Sequence, residues 1–276
     1  MAGILPSHRF LARGLPIALA LCATSASAQG RLAAHYAITM TGIPVGEIAW
    51  LVDIGEKTYA IAANGKASGV LSIFINGEGA VETRGTVVSG RLVPSSFTSN
   101  ITDDDGTILL NLNFADDTVT ETITPEPPRR KDRLPVSGDD RRGVIDPLSA
   151  VLLPQASSSD PLAPVTCNRL LAIYDGRRRY NLVLSYARLD KFVVPPGYSG
   201  AALVCGVILE PIAGYRADSL LVKYAAHKRD MELWFVPIAG TVLVAPVRVV
   251  MPTLIGTLKI EANQFEAQAA TAPHGR

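Results

Sequence analysis

The chain has 276 residues and a formal net charge of +1, with 48% of its residues hydrophobic and 18% charged. A balance this close to neutral excludes a general electrostatic attraction to nucleic acid or to anionic membranes. Few charges, many apolar positions and no spanning-length apolar run after the N-terminus suit a well-buried, soluble β protein.

Residues 1–28 have the layout of a cleaved signal peptide. His8, Arg9 and Arg13 supply a basic start, Leu15 to Ala23 an apolar run, and Ala26-Ser27-Ala28 a small-residue cleavage site before Gln29. The apolar run is shorter than the ~20 residues a spanning helix needs, so no transmembrane segment is expected in the mature chain. Cys22 follows Leu21, where a lipoprotein signal requires a small residue, which disfavours lipidation. Cleavage leaves about 248 residues (276 less the first 28), with Cys167 and Cys205 as the only cysteines. Thiols outside the cytosol tend to be oxidised, so this pair is expected to form a disulfide rather than a zinc site or a nucleophile. Such a bridge closes a loop of about 39 residues, worth roughly 4 kcal/mol in the chain-entropy description.

Residues 33 to 63 read as a three-strand meander, with Ile48, Trp50, Val52 and Ile54 in period-2 alternation. Residues 69 to 75, which include Phe74, are expected to form a short helix covering an apolar sheet face. Strands resume near Val81, at Arg91–Val93 and at Phe97–Ile101. The turn Asp103-Asp104-Asp105-Gly106 leads into Ile108, Leu110, Leu112 and Phe114 in strict alternation. The acidic triplet lacks the ligand spacing of a calcium loop and reads as a solvated hairpin tip. Pro125 to Arg133 is Pro-rich and basic, with Arg129, Arg130, Lys131 and Arg133, and is expected to be an exposed connection.

Asp146 followed by Pro147 is a helix-start pattern, and the helix is expected over 147 to 153 with Pro154 ending it. The chain then turns at Asp175-Gly176 between two apolar runs, a strong hairpin signal. Strands are expected at Leu220–Tyr224, Met231–Val236, Val242–Val244, Val247–Val250 and Thr257–Ala262. Residues 29–265 are read as a single β domain and residues 266–276 as a disordered tail.

Several short segments, in order, resemble the bacterial exported family labelled domain of unknown function 3108. They are Gly42-Ile43-Pro44-Val45-Gly46-Glu47 with Tyr36, Gly90-Arg91-Leu92-Val93-Pro94, Asp146-Pro147-Leu148-Ser149-Ala150, Tyr174 to Tyr180, Cys205, Pro211 to Tyr215, and Glu232-Leu233-Trp234. The resemblance covers roughly residues 32 to 262. It implies the periplasm of a Gram-negative bacterium and a mainly β fold. That fold is a strongly curved antiparallel sheet, or half-open barrel of the lipoprotein-carrier kind, with short helices.

Catalytic patterns are scarce. Gly197-Tyr198-Ser199-Gly200 misses the nucleophile-elbow pattern and follows a Pro-Pro loop. His35, His227 and His274 have no metal-ligand spacing, and Asp175 with Arg177 and Arg179 is explained by a hairpin tip. No catalytic residue, metal or cofactor is expected, and no nucleic-acid partner. An unrecognised hydrolase is the weakest reading. The leading one is a non-catalytic envelope protein that binds an apolar ligand, a lipid or lipoprotein, with Trp50, Phe74, Leu112 and Trp234 lining a concave face. The alternative is a structural or interaction protein that supports envelope integrity through a protein partner.

Overall fold

The computed structural model describes residues 29–68, 77–103, 106–115, 118–125, 132–157 and 159–270. The expected signal peptide with Ala28, the expected helix over 69 to 75 with Phe74, the basic residues Arg129 to Lys131 and residues 271 to 276 lie outside them.

The chain is mainly β. The first seven strands are β1 (Gly30–Met40), β2 (Ile43–Ile54), β3 (Thr58–Ala67), β4 (Gly77–Val88), β5 (Arg91–Asp103), β6 (Gly106–Ala115) and β7 (Thr118–Thr124). After helix α1 (Pro147–Ala150) come β8 (Leu153–Pro154), β9 (Arg169–Tyr174), β10 (Arg179–Val194) and β11 (Tyr198–Ala213). Helix α2 (Leu220–His227) then precedes β12 (Met231–Pro237), β13 (Leu243–Thr253) and β14 (Gly256–Ala269).

These strands form one 14-stranded antiparallel sheet in the order β7-β6-β5-β4-β3-β2-β1-β14-β13-β12-β11-β10-β9, with β8 paired to β13. Two meanders are thus joined where the first strand pairs with the last, Met40 opposite Leu258 and Gly30 opposite Ala269. Period-2 patterning produces the strands: Leu32, Ala34 and Tyr36 are buried, Arg31 and His35 are exposed, and Ala33 is half-buried. The β1–β2 and β4–β5 turns place both central residues at positive φ, Thr41 at 51° and Gly42 at 83°, Ser89 at 50° and Gly90 at 76°. Such turns match the twist of the paired strands, and glycine takes the second position without strain.

The ends of the sheet, β7 and β9, are bridged by one connecting segment. Thr118 of β7 pairs with Arg142, and Ile145 pairs with Ile173 of β9 through Ile145 N to Ala172 O (2.9 Å) and Tyr174 N to Ile145 O (3.1 Å). Unpaired strand edges are templates for aggregation, so this segment satisfies backbone groups that would otherwise invite other chains.

The main core draws on both meanders. Leu32, Trp50, Val52 and Ile61 from the first meet Phe192, Val204, Trp234 and Val247 from the second. A second cluster packs Leu153 and Cys167 against Leu203, Cys205, Leu233 and Phe235. Cys167 and Cys205 form the expected disulfide inside it (Cα–Cα 5.5 Å), both fully buried. The segment from α1 to β9 is thereby fastened across β11.

Three expectations are corrected. Helix α1 ends at Ala150 rather than 153, because Leu153–Pro154 leaves to pair with Leu243 and Val244 of β13. The strand expected at Leu220–Tyr224 is helix α2, with Ser219 Oγ accepting from Val222 N at 3.4 Å as its N-cap. His227 ends that helix. The tail expected from residue 266 is ordered strand as far as Ala269, where pairing with Gly30 supplies the backbone partners.

Candidate functional site

Of the four residues expected to line a concave face, the three described ones, Trp50, Leu112 and Trp234, are core side chains. Trp50 and Trp234 are each about nine-tenths or more buried in the main core, whereas Leu112 lies in a separate cluster with Phe97, Val119 and Tyr174. Phe74 lies outside the described residues. Trp234 is already occupied. Arg248 lies over its ring at 4.2 Å and Arg188 at 5.2 Å, and Glu232 accepts both the indole N–H (2.8 Å) and the Arg188 guanidinium (2.6 and 3.1 Å). These cation–π contacts and the charge-paired carboxylate use up the ring as a ligand platform. The Arg188 hydrogen bonds hold the Glu232 carboxyl below its usual range.

Asp175 is a hairpin-tip residue. Its Oδ1 accepts from Arg177 N (2.9 Å) and Arg178 N (2.7 Å), which holds the turn around Gly176.

Asp146 sits at the centre of a buried polar cluster. The chain enters the core at Ile145 and must stop extending there, and Asp146 Oδ1 accepts from the free amides of Leu148 and Ser149, each at 3.0 Å. Its Oδ2 lies 3.1 Å from Thr83 Oγ1 on β4, which also lies 3.0 Å from Ser96 O and 3.3 Å from Ser149 Oγ. Tyr59 of β3 reaches the same serine at 2.7 Å. Burial pushes the Asp146 carboxyl up, against hydrogen bonds from Ser149, Thr83 and Leu148 that favour the anion. Burial likewise pushes the Tyr59 phenol up. Asp146, Ser149 and Thr83 are almost wholly inaccessible, so the cluster pins α1 to the first meander rather than meeting a substrate.

An accessible groove of about 460 Å³ crosses β1 to β5, with polar side chains along it. Strand register aligns His35, Ala49, Asn64, Ala80 and Asn100 on one rung, and Glu47, Lys66, Glu78 and Thr102 on the next. Opposed residues share a face, so both rungs project away from the core. Small side chains alternate with polar ones along the first rung, Ala49 between His35 and Asn64 and Ala80 between Asn64 and Asn100. The carboxylate of Glu47 accepts from Lys66 Nζ at 2.9 Å. That hydrogen bond and charge, helped by Glu78, hold the ammonium above its usual range. Asn263 also lines the groove, at the β1–β14 register shift between His35 and Tyr36.

Chemically the groove offers amide donors and acceptors and an ordered minus–plus–minus row, a pattern suited to binding. Among the described residues, no group of three His, Cys, Asp or Glu side chains could hold a metal ion. Glu47, Lys66 and Glu78 carry no motif in the sequence that links them. Only the register places them in one row.

An apolar core within a continuous antiparallel sheet, with a polar groove on its solvent face, defines a β-barrel-like protein. The chain belongs to the family described as "Protein of unknown function (DUF3108)", whose model matches residues 35–263. The crystal structure of a "Beta-barrel-like Protein of Domain of Unknown Function DUF1849 from Brucella abortus" is similar in fold, with a TM-score of 0.50 and 8% identity. The match covers 88% of this chain and 99% of that one. No curated protein matches the chain.

Proposed function

We propose that the protein is a non-catalytic interaction protein of the bacterial periplasm, which binds an extended polar segment of an envelope partner in the groove across β1 to β5. The observation that carries this reading is where the side chains stand. Trp50, Leu112 and Trp234 are spent on the core, while Glu47, Lys66, Glu78, Asn64 and Asn100 line an open groove. The apolar-ligand reading named the first three together with Phe74 as lining, and the burial of the three weighs against it. Two further features support the compartment: the buried disulfide, and an N-terminal stretch with the layout of an export signal. Among the described residues no helix is long and apolar enough to cross a membrane. The face of β1 to β4 away from the core carries Arg31, Glu47, Asp53, Lys66, Glu82 and Arg84, the inverse of a lipid-facing barrel wall.

Native mass spectrometry of protein purified from the periplasm tests this. A co-purified polypeptide lost on Lys66→Glu, with the unfolding midpoint unchanged, is the expected result. A co-purified lipid that survives Lys66→Glu would sink the groove reading. Turnover of a substrate, abolished by one polar substitution, would sink the non-catalytic one.

A further inference from the structure

A second surface, on one end of the sheet, has a different character. The β1–β2 turn and the β13–β14 turn are neighbours there, tied by Thr41 N to Thr257 O at 2.8 Å. Helix α2 lies beside them, with Leu220 and Tyr224 sharing a shallow depression with Leu254. Five aliphatic side chains from these three segments stand in solvent: Ile43 at 53% exposure, Leu220 at 73%, Leu221 at 63%, Leu254 at 51% and Ile255 at 81%. Single exposed aliphatics are ordinary, but several standing on neighbouring segments mark a contact surface.

We propose that this rim docks on the surface of an anionic lipid bilayer. Its shape is the first reason. Ile43 follows one hairpin turn, Leu254-Ile255 fills another of two residues where Asn, Asp or Gly is the usual choice, and the depression that Leu220 shares with Leu254 is shallow, so the rim presents an open surface. The tip is also prepared to leave water. Thr253 Oγ1 accepts from Ile255 N at 3.3 Å and donates to Gly256 O at 2.7 Å, so two of the turn's backbone groups have partners within it. Charge is the third reason. From Ser219 to Arg229 the chain carries Lys223, His227, Lys228 and Arg229 and no acidic residue. Lys228 Nζ lies 4.8 Å over the Tyr224 ring and 3.8 Å from Asp230. An apolar edge backed by cations matches the boundary between acyl chains and phosphate headgroups, with lysine stems lying along it. The whole chain is close to neutral, so the attraction is local to this rim.

The test is co-sedimentation of the mature chain with vesicles of phosphatidylcholine, alone or mixed with phosphatidylglycerol. Binding to the mixed vesicles is expected, weakened by salt. Lys223→Glu should weaken it about fivefold or more. Ile255→Asp should weaken it about tenfold or more, by replacing a buried aliphatic with a charge. Leu220→Asp repeats the test on another element, and unchanged unfolding midpoints show that the variants are folded. Lys66→Glu should leave vesicle binding intact, so failure of the groove reading would not touch this one. Absence of wild-type binding to both vesicles, or equal binding by wild type and Ile255→Asp, overturns the proposal. A wild-type dimer made monomeric by Ile255→Asp also overturns it, since the rim would then face a second copy.

Discussion

The buried cluster at Asp146 makes a prediction whose sign depends on one proton. Thr83 Oγ1 has a single hydrogen but two acceptors in reach, Ser96 O at 3.0 Å and Asp146 Oδ2 at 3.1 Å. With Asp146 ionised, the threonine proton goes to the carboxylate and Ser96 O loses it. With Asp146 protonated, its own O–H donates to Thr83, whose proton returns to Ser96 O. Burial favours the second arrangement and raises the carboxyl pKa. A pKa raised by folding contributes stability that is present in full below the unfolded value, about 3.9 for aspartate, and is lost as pH rises through the folded one. Asp146→Asn keeps the oxygen that caps α1 and adds a permanent donor towards Thr83. It should therefore match wild type at acid pH and become the more stable protein as pH rises through the folded pKa. Asp146→Ala removes the cap, worth about 0.5–2 kcal/mol, and leaves buried Thr83 short of a partner, about 1–3 kcal/mol. Together these are about 1.5–5 kcal/mol, or a fall in unfolding midpoint of about 3–20 °C for a domain of this size. Urea melts of the three proteins across pH provide the assay. An Asn variant less stable than wild type by the same margin at every pH would refute the proton assignment.

Cys167→Ser should cost about 2–5 kcal/mol by releasing the α1–β9 segment from β11, read from the denaturation midpoint against wild type with and without reductant. Reduced wild type should approach the variant, and equal stability of reduced and oxidised protein would contradict the fastening role. Gly197→Ala should destabilise by more than about 1 kcal/mol, because Gly197 has φ +129° and an added Cβ would stand 1.7 Å from Phe265 O. Its β10–β11 tip should then lose amide protection while β1–β4 keep theirs.

Local chemistry was the legible part of this fold. The alternation of Ile48, Trp50, Val52 and Ile54, the Asp175-Gly176 turn and the Asp146-Pro147 helix start each act within a few residues, and each stands in the structure as read. Helix α2 was missed because Leu220-Leu221-Val222 carries no clear period, and the cue was the short-range cap Ser219. The groove was illegible for another reason. Glu47, Lys66 and Glu78 lie in three different strands, and only the pairing of Glu47 with Lys66 and of Lys66 with Glu78 makes them a row. Trp50 and Trp234 were visible as large aromatics. Whether such a ring packs into a core or meets a ligand depends on neighbours such as Arg248, fourteen positions from Trp234 in the chain and 4.2 Å away in space.

The pairing of β1 with β14 sets the order in which the molecule can be finished. Chains are made from the N-terminus, so β1 appears long before its second neighbour β14, with Gly30 waiting for Ala269. The first meander must therefore hold one long hydrogen-bonding edge open throughout synthesis. That edge bears Leu32, Ala34 and Tyr36 on its buried face, which makes it the stretch most in need of a chaperone's cover. Closure at the end is a contact of very high sequence separation, the kind that slows folding most. The newly made protein is thus a ribbon with an adhesive border until its final strand arrives.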